Sequence, residues 1–307
     1  HSGAVVRDVN AELRDVEPSV LVIDHFYSLQ NIPLWFLLRS RVPILFIAHD
    51  HTPALIADLW AAQKPRRSLL AFLVDVAKAR VVEGWLLRRA DRLIFLSEFD
   101  AKRHPAVAHK SSALLPLEKP EKAGAARPTS VALPERFAVF LGSPSFAPNA
   151  EAIEWLVRDL APVLAAKDPD CRIVLVGNRT QTIRGEHGNV LGLGYVSDED
   201  LSGILTAAAA LLSPIRHGSG LKIKIMDALT IGCPVIATEH ALRGFEKFEI
   251  DRVIDLDDPG RCADMILDLA SNAAARSDYS DALLKQVVEY YERHNDDLSK
   301  IVAALGG

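Results

Sequence analysis

Short runs of consecutive apolar residues alternate with longer segments of helical periodicity along nearly the whole chain. Runs at residues 19–24 (SVLVID), 43–49 (PILFIAH), 92–96, 136–142, 172–177, 188–195, 209–212 and 234–237 predict strands. Most show no in-and-out alternation, the pattern of strands buried on both faces and so of parallel sheets. Helical spacing between and after them predicts helices at residues 4–17, 34–39, 65–89, 149–167, 221–231, 259–270, 277–293 and 296–305. A strand–helix alternation of this kind specifies an α/β fold of doubly wound, Rossmann-like parallel sheets.

Polar punctuation divides the pattern. Residues 119–130 (KPEKAGAARPTS) carry Pro, Gly, Ala and charge with no periodic apolar position, which predicts a linker. The expected organisation is a Rossmann-like domain over residues 1–126, a second over 127–290, and a closing helical segment over 291–307.

Composition narrows the function classes. With 307 residues, 49% of them apolar, the chain can bury the cores of two domains. A net charge of −5 argues against a dedicated nucleic-acid binder. No apolar run approaches the ~18 residues of a membrane-spanning helix. Cys171, Cys233 and Cys262 are odd in number and scattered, as in reduced core positions of a cytoplasmic protein.

The chemistry concentrates in residues 213–238, SPIRHGSGLKIKIMDALTIGCPVIAT. Gly218-Ser219-Gly220 breaks the strand, and the helix that follows presents free amides and a positive dipole end at the sheet's carboxyl edge. Lys222 and Lys224 are expected in its first turn, where a cation is unfavourable unless an anion meets it. Asp227 shares a face with Lys224 and can accept hydrogen bonds from two vicinal hydroxyls. A phosphate joined to a polyol, as in a nucleotide's diphosphate and ribose, fits this set.

The string G-x-G-L-K-x-K-I-x-D-A-L-x-x-G-x-P-V-I-A-T resembles the donor signature of retaining GT-B glycosyltransferases of family four. The resemblance implies that Asp227 binds the ribose and that Gly218, Ser219, Gly220 and Leu221 offer the diphosphate their loop and helix-start amides, beside Lys222 and Lys224. Many relatives carry a second acid eight residues before the first, a position that is Ser219 here, as in a branch of the family that lacks the pair. The segment F-x-G-S-x-x-x-x-P-N-x-x-A-x-x-W, from Phe140 to Trp155, resembles the opening of the family's donor domain. It implies backbone contact of Gly142 and Ser143 with the diphosphate or sugar. Gly177 marks the ligand-side end of the next strand, and Gly194-Tyr195-Val196 matches a loop that holds the nucleobase, making Tyr195 and Val196 base-contact candidates. An ordinary turn before a capped helix explains the same residues.

In the N-terminal half, His49 ends a strand, where the family places a histidine facing the transferred sugar or the acceptor; strand capping is the alternative, and His51 the substitute candidate. A metal site at His49-Asp50-His51 lacks further ligands. The stretch E-x4-R-R-A-D from Glu83 to Asp91, followed by Ser97-Glu98, also resembles the family, although a helix cap explains Ser97 and Glu98 equally well. For residues 65–89 the simpler reading is a packed helix with Leu69, Leu70, Phe72, Leu73, Val76 and Val81 in its stripe and Lys64, Arg66 and Arg67 at a solvated start. The other, implied by relatives that glycosylate lipid-linked acceptors, is peripheral membrane contact. Asp255-Leu256-Asp257 gives a superficial D-x-D, which reads as acids at a helix start. GT-B N-terminal domains usually open with a strand and glycine-rich loop, so this one is expected to be shortened. The family's last helix crosses back to the N-terminal domain.

The functional expectation is a retaining, metal-independent glycosyltransferase of hexosyltransferase type, in polysaccharide or glycoconjugate biosynthesis. It needs no cofactor beyond its nucleotide-sugar donor, and its acceptor is a glycan, a lipid-linked acceptor or a small molecule. The alternatives are a non-catalytic nucleotide-sugar-binding or scaffold subunit and a GT-B nucleotide-sugar epimerase.

Overall fold

The structure, a computed structural model, describes residues 12, 18–62, 68–120, 128–185 and 188–307. The helix expected at residues 4–17, apart from residue 12, and the positions Lys64, Arg66 and Arg67 lie outside the described residues. The chain divides into two compact units: His1–Pro116 with Ser219–Leu221 and His294–Gly307, and Leu117–Gly218 with Lys222–Arg293.

The first unit is built on a four-stranded parallel sheet of order β1-β2-β3-β4, formed by Leu21–Asp24, Ile44–Ala48, Arg92–Phe95 and Ser111–Ala113. Its helices are α1 (Leu34–Arg39), α2 (Thr52–Ala62), α3 (Leu69–Arg89) and α4 (Glu98–Lys102). Apolar strand residues make the core: Ile23, Phe46, Leu93 and Phe95 are buried with Leu37 of α1 and Leu86 of α3. The R-R-A-D turn is a staple. Arg89 Nη2 donates to Ser40 O at 3.0 Å, and Asp91 Oδ2 accepts from the Ile44 amide at 2.8 Å, tying the α3–β3 connection to the start of β2.

The packed reading of residues 65–89 needs correction. The side that α3 buries is Ala79, Glu83, Leu86 and Leu87, whereas Leu70 and Val81 are 72% and 70% exposed and Leu69 and Leu73 are exposed too. Phe72 stacks on Trp60 of α2, ring centroids 4.5 Å apart. The reason is length: 21 helical residues span about 30 Å, but strands of four or five residues span only about 15 Å, so the early turns outrun the sheet.

The second unit carries a five-stranded parallel sheet of order β7-β6-β5-β8-β9. Its strands are β5 (Phe137–Leu141), β6 (Arg172–Val176), β7 (Val190–Gly194), β8 (Leu211–Ser213) and β9 (Val235–Ala237). All five residues of β5 are buried, as a central strand covered on both faces requires. The expected helix at 149–167 is present and runs without interruption as α5 (Ala147–Trp155), a π-helical turn at Leu156–Leu160, and α6 (Ala161–Lys167). Pro162 accounts for the wider turn, because it has no N–H to donate to an earlier carbonyl. Next come α7 (Asp198–Ala207), α8 (Ile223–Ile231), α9 (Pro259–Ser271), α10 (Ala273–His294) and α11 (Asp297–Gly306). The α/β class with two parallel sheets is as the patterning predicts.

Strand order positions the site. Chain order runs outward from β5 to β6 and β7 on one side, then returns to β8 and β9 on the other. In open α/β sheets ligands bind at the carboxyl ends of the strands where the order reverses. Here that point lies between β5 and β8.

Candidate functional site

Two chain segments meet at the switch point. The first leaves β5 through Gly142 and Ser143, and the Gly142 amide donates to Val176 O at 2.8 Å. Gly177, leaving β6 beside it, has φ +140, and a Cβ there would stand 2.6 Å from Gly142 O. Only glycine permits this approach of the two loops.

The second segment joins β8 to α8. Gly218 and Gly220 take φ of 106° and 78°, so the chain stays in a loop until Ile223. Lys222 is therefore the N-cap and not part of the first turn, which corrects the expected helix start at residue 221. Its ammonium turns back to donate to Gly218 O at 3.0 Å, and His240 Nε2 meets the same carbonyl at 3.0 Å. Lys224 does sit in the first turn. Its Nζ donates to Asn149 Oδ1 at 3.0 Å and lies 4.2 Å from the centroid of the Phe140 ring. Burial, with Lys222 adding repulsion, lowers its pKa to about 7. Asp227 moves the other way: burial, then the acids Glu118 and Asp198, raise it to about 6. Among the described residues the Asp227 carboxylate has no hydrogen-bond partner, so it is available to a ligand's hydroxyls.

A third cluster fixes the loops after β6 and β7. Thr180 is fully buried, and its Oγ1 lies 3.0 Å from Leu175 O and 2.9 Å from Gly177 O while accepting from the Gly194 amide at 2.9 Å. Tyr195 follows Gly194 with its side chain 80% exposed. Thr180→Val removes the acceptor for a buried amide, which costs about 1–3 kcal/mol. Calorimetric melting is expected to show a midpoint lower by roughly 2–12 °C at the ~2–4 °C per kcal/mol of a chain this size.

In the first unit, the carboxyl ends of β1 and β2 carry crossed histidine–carboxylate pairs. Asp24 Oδ1 lies 2.6 Å from His49 Nε2, and His25 Nε2 lies 3.6 Å from Asp50 Oδ2. His25 has φ 71°, an uncommon conformation for a residue with a Cβ, and its Nδ1 accepts from the Tyr27 amide at 3.1 Å. His51 is placed differently. Its Nδ1 accepts from the Ala54 amide at 3.3 Å, at the start of α2, while buried Glu83 accepts from the Thr52 amide at 2.9 Å. Desolvation lowers the pKa of His51 and raises that of Glu83. Ser97 and Glu98 start α4, where Ser97 Oγ accepts from the Asp100 amide at 3.0 Å. Asp258 caps α9 by accepting from the Arg261 amide at 2.9 Å, and Asp255 accepts from the Asp257 amide at 3.0 Å. The three cysteines are buried thiols, and burial pushes Cys233 up to about 12.

Thus the fold gathers Gly142 and Ser143 from the β5 side and Gly218, Lys222 and Lys224 from the β8 side of the switch point, with Gly177 adjoining through Gly142. Asn149, Thr180 and His240 are neighbours of the candidate site that were not singled out as site residues from the sequence. Asn149 left a trace as the Asn of the P-N-x-x-A stretch, and His240 lies in the loop from Thr238 to Gly244, which the family resemblance places near the sugar or the nucleotide.

Residues 135–272 match the sequence profile of the family described as Glycosyl transferases group 1. This stretch, under half of the chain, is similar to a Glycosyl transferases group 1 domain. It contains every residue of the switch-point site. Among curated proteins, an uncharacterized 44.6 kDa protein in the cps region of Klebsiella pneumoniae is 22% identical over 163 residues, covering 50% of this chain and 42% of that protein. Among solved structures, TarM shares a TM-score of 0.67 at 13% identity, over 97% of this chain and 57% of TarM. Sucrose-phosphate synthase from Thermosynechococcus elongatus gives 0.66 at 17% identity, over 98% of this chain and 77% of the enzyme. The E. coli trehalose-6-phosphate protein, solved bound with UDP-2-fluoro glucose, gives 0.66 at 12% identity, over 99% and 76%. These likenesses show the GT-B glycosyltransferase fold. The chain spans less than half of its curated relative and less than two thirds of TarM. Among the described residues no helix is long and apolar enough to cross a membrane.

Proposed function

We propose that the chain binds a nucleotide-sugar and, as a hexosyltransferase, passes the sugar to a hydroxyl acceptor with retention and without a metal ion. The observation that carries the reading is the pairing of Lys224 with Asp227 on the first turns of α8, at the switch point of the stretch similar to a Glycosyl transferases group 1 domain. Charge grows on the departing diphosphate during transfer, and the α8 amides with Lys224 are arranged to stabilise it. Lys222 adds its charge once released from Gly218 O. Asp227 holds the ribose hydroxyls. Retention follows if the departing phosphate takes the acceptor's proton on the face it leaves, so that no protein nucleophile is needed. His49, oriented by Asp24, serves the sugar or the acceptor. The donor is the substrate and no further cofactor enters.

UDP is the first base to try, because the E. coli neighbour was solved with a UDP-sugar analogue. The test is a calorimetric and thermal-shift screen of UDP, GDP, ADP and their sugar conjugates in metal-free buffer. One diphosphate binding at micromolar to millimolar concentration supports the reading; no binding by any removes it. Ser219, standing where many relatives have an acid, favours a second reading as a binding subunit without catalysis. Product formation from the selected donor discriminates the two.

A cytoplasmic location with peripheral membrane contact is part of the same proposal. The exposed Leu69, Leu70, Leu73 and Val81 of α3 support it. Cosedimentation with anionic vesicles is expected, and Leu70→Glu with Leu73→Glu is expected to abolish it; no sedimentation of the parent protein refutes the contact.

A further inference from the structure

Asn149 is the third residue of α5, and its side-chain amide spans two segments. Its Oδ1 accepts from Lys224 Nζ at 3.0 Å, and its Nδ2 donates to Ser143 O at 3.2 Å. The orientation of the amide is fixed by chemistry, since an ammonium only donates and a carbonyl only accepts. Gly142 is packed onto the same amide: a Cβ at 142 would stand 2.7 Å from both Asn149 Cγ and Nδ2. One planar group thus touches the β5 loop at two consecutive residues and the α8 lysine at its tip.

The geometry points to Asn149 as a positioning residue that sets Lys224 and the Gly142–Ser143 loop at a fixed spacing to receive a diphosphate. This rests on the nucleotide-sugar reading above. The role needs a donor and an acceptor together, which neither a carboxylate nor a methyl supplies. Asn149 acts through Lys224 and the loop backbone, so its loss falls on the phosphates and leaves the nucleoside alone. Phe140 and Asn149, which face the lysine from β5 and α5, are uncharged, and Lys222 is the neighbouring charge on its own segment.

The test measures UDP with uridine, and GDP with guanosine, by calorimetry on the full chain. Asn149→Ala is expected to weaken the diphosphate about 10-fold, the scale of one charge-assisted hydrogen bond, and to change the nucleoside less than about twofold. In the double variant Asn149→Ala/Lys224→Ala, affinity is expected to match Lys224→Ala within about threefold, since both changes remove one arrangement. Equal loss for diphosphate and nucleoside, or losses that simply add, overturns the proposal. A second measurement needs no ligand: acetylation of Lys224 by acetic anhydride at pH 8, read by mass spectrometry. Asn149→Asp places a carboxylate against the ammonium, keeps it protonated and slows the reaction. Equal rates in parent and variant remove Asn149 from Lys224 whatever the nucleotide result. Absence of nucleotide binding by a parent protein that does show the slowing refutes the nucleotide reading and leaves the Asn149–Lys224 contact standing.

Discussion

Lys224→Ala is expected to weaken nucleoside diphosphate binding about 10- to 100-fold, the worth of one or two hydrogen bonds from a charged group, while the fold stays intact. The unliganded protein is expected to keep its thermal midpoint or raise it. The sign follows from linkage. Burial holds the folded-state lysine near 7, below its usual 10.5. The penalty for charging it is absent above about 10.5, grows as pH falls toward 7, and is constant below that. At neutral pH the folded protein therefore carries a cost that alanine removes. A bound diphosphate reverses the preference by pairing with the ammonium, so parent affinity is expected to fall as pH rises from 7 to 9, with proton uptake seen as a buffer-dependent heat. Asp227 sets the other limb. With its carboxyl raised to about 6, it loses its charge below that pH and accepts the ribose hydroxyls less well. Binding is expected to be strongest between about 6 and 7. An affinity that is flat in pH, or unchanged in Lys224→Ala, removes the lysine from the site.

Gly192→Ala is expected to give the largest loss of stability. A Cβ at Gly192 would stand 1.8 Å from Thr180 O and 2.6 Å from Thr180 C, a collision with backbone that no rotamer change relieves. Overpacking of this kind costs about 3 kcal/mol, which lowers the melting midpoint by roughly 6–12 °C. The β6–β7 register already shifts beside this point, with Val176 pairing Gly194, so little slack is left. The displaced Thr180 also holds the Gly177 and Gly194 loops, and nucleotide affinity is expected to fall with stability. A midpoint within 2 °C of the parent, a span of about 1 kcal/mol or less, would show that the β7 edge yields more easily than this packing suggests.

Local information accounts for much of what the chain alone determined. Strands buried on both faces must be apolar throughout, so β2, β5 and β6 were legible as runs, and the glycines flanking α8 marked its loop and its C-cap at Gly232. Helix edges were less legible: Lys222 caps α8 because the positive φ of Gly218 and Gly220 delays the first helical residue, a backbone choice that spacing does not encode. The exposure of Leu70 and Val81 was hidden for a similar reason, since periodicity gives a stripe but not the length of the sheet beneath it. What only the tertiary structure decided is strand order and the contacts it creates. Asn149 and Lys224 lie 75 positions apart, and Thr180 and Gly194 lie 14 apart. No residue type announces such a meeting; it follows from β5 and β8 being neighbours and from the crevice that opens where the order of the strands reverses.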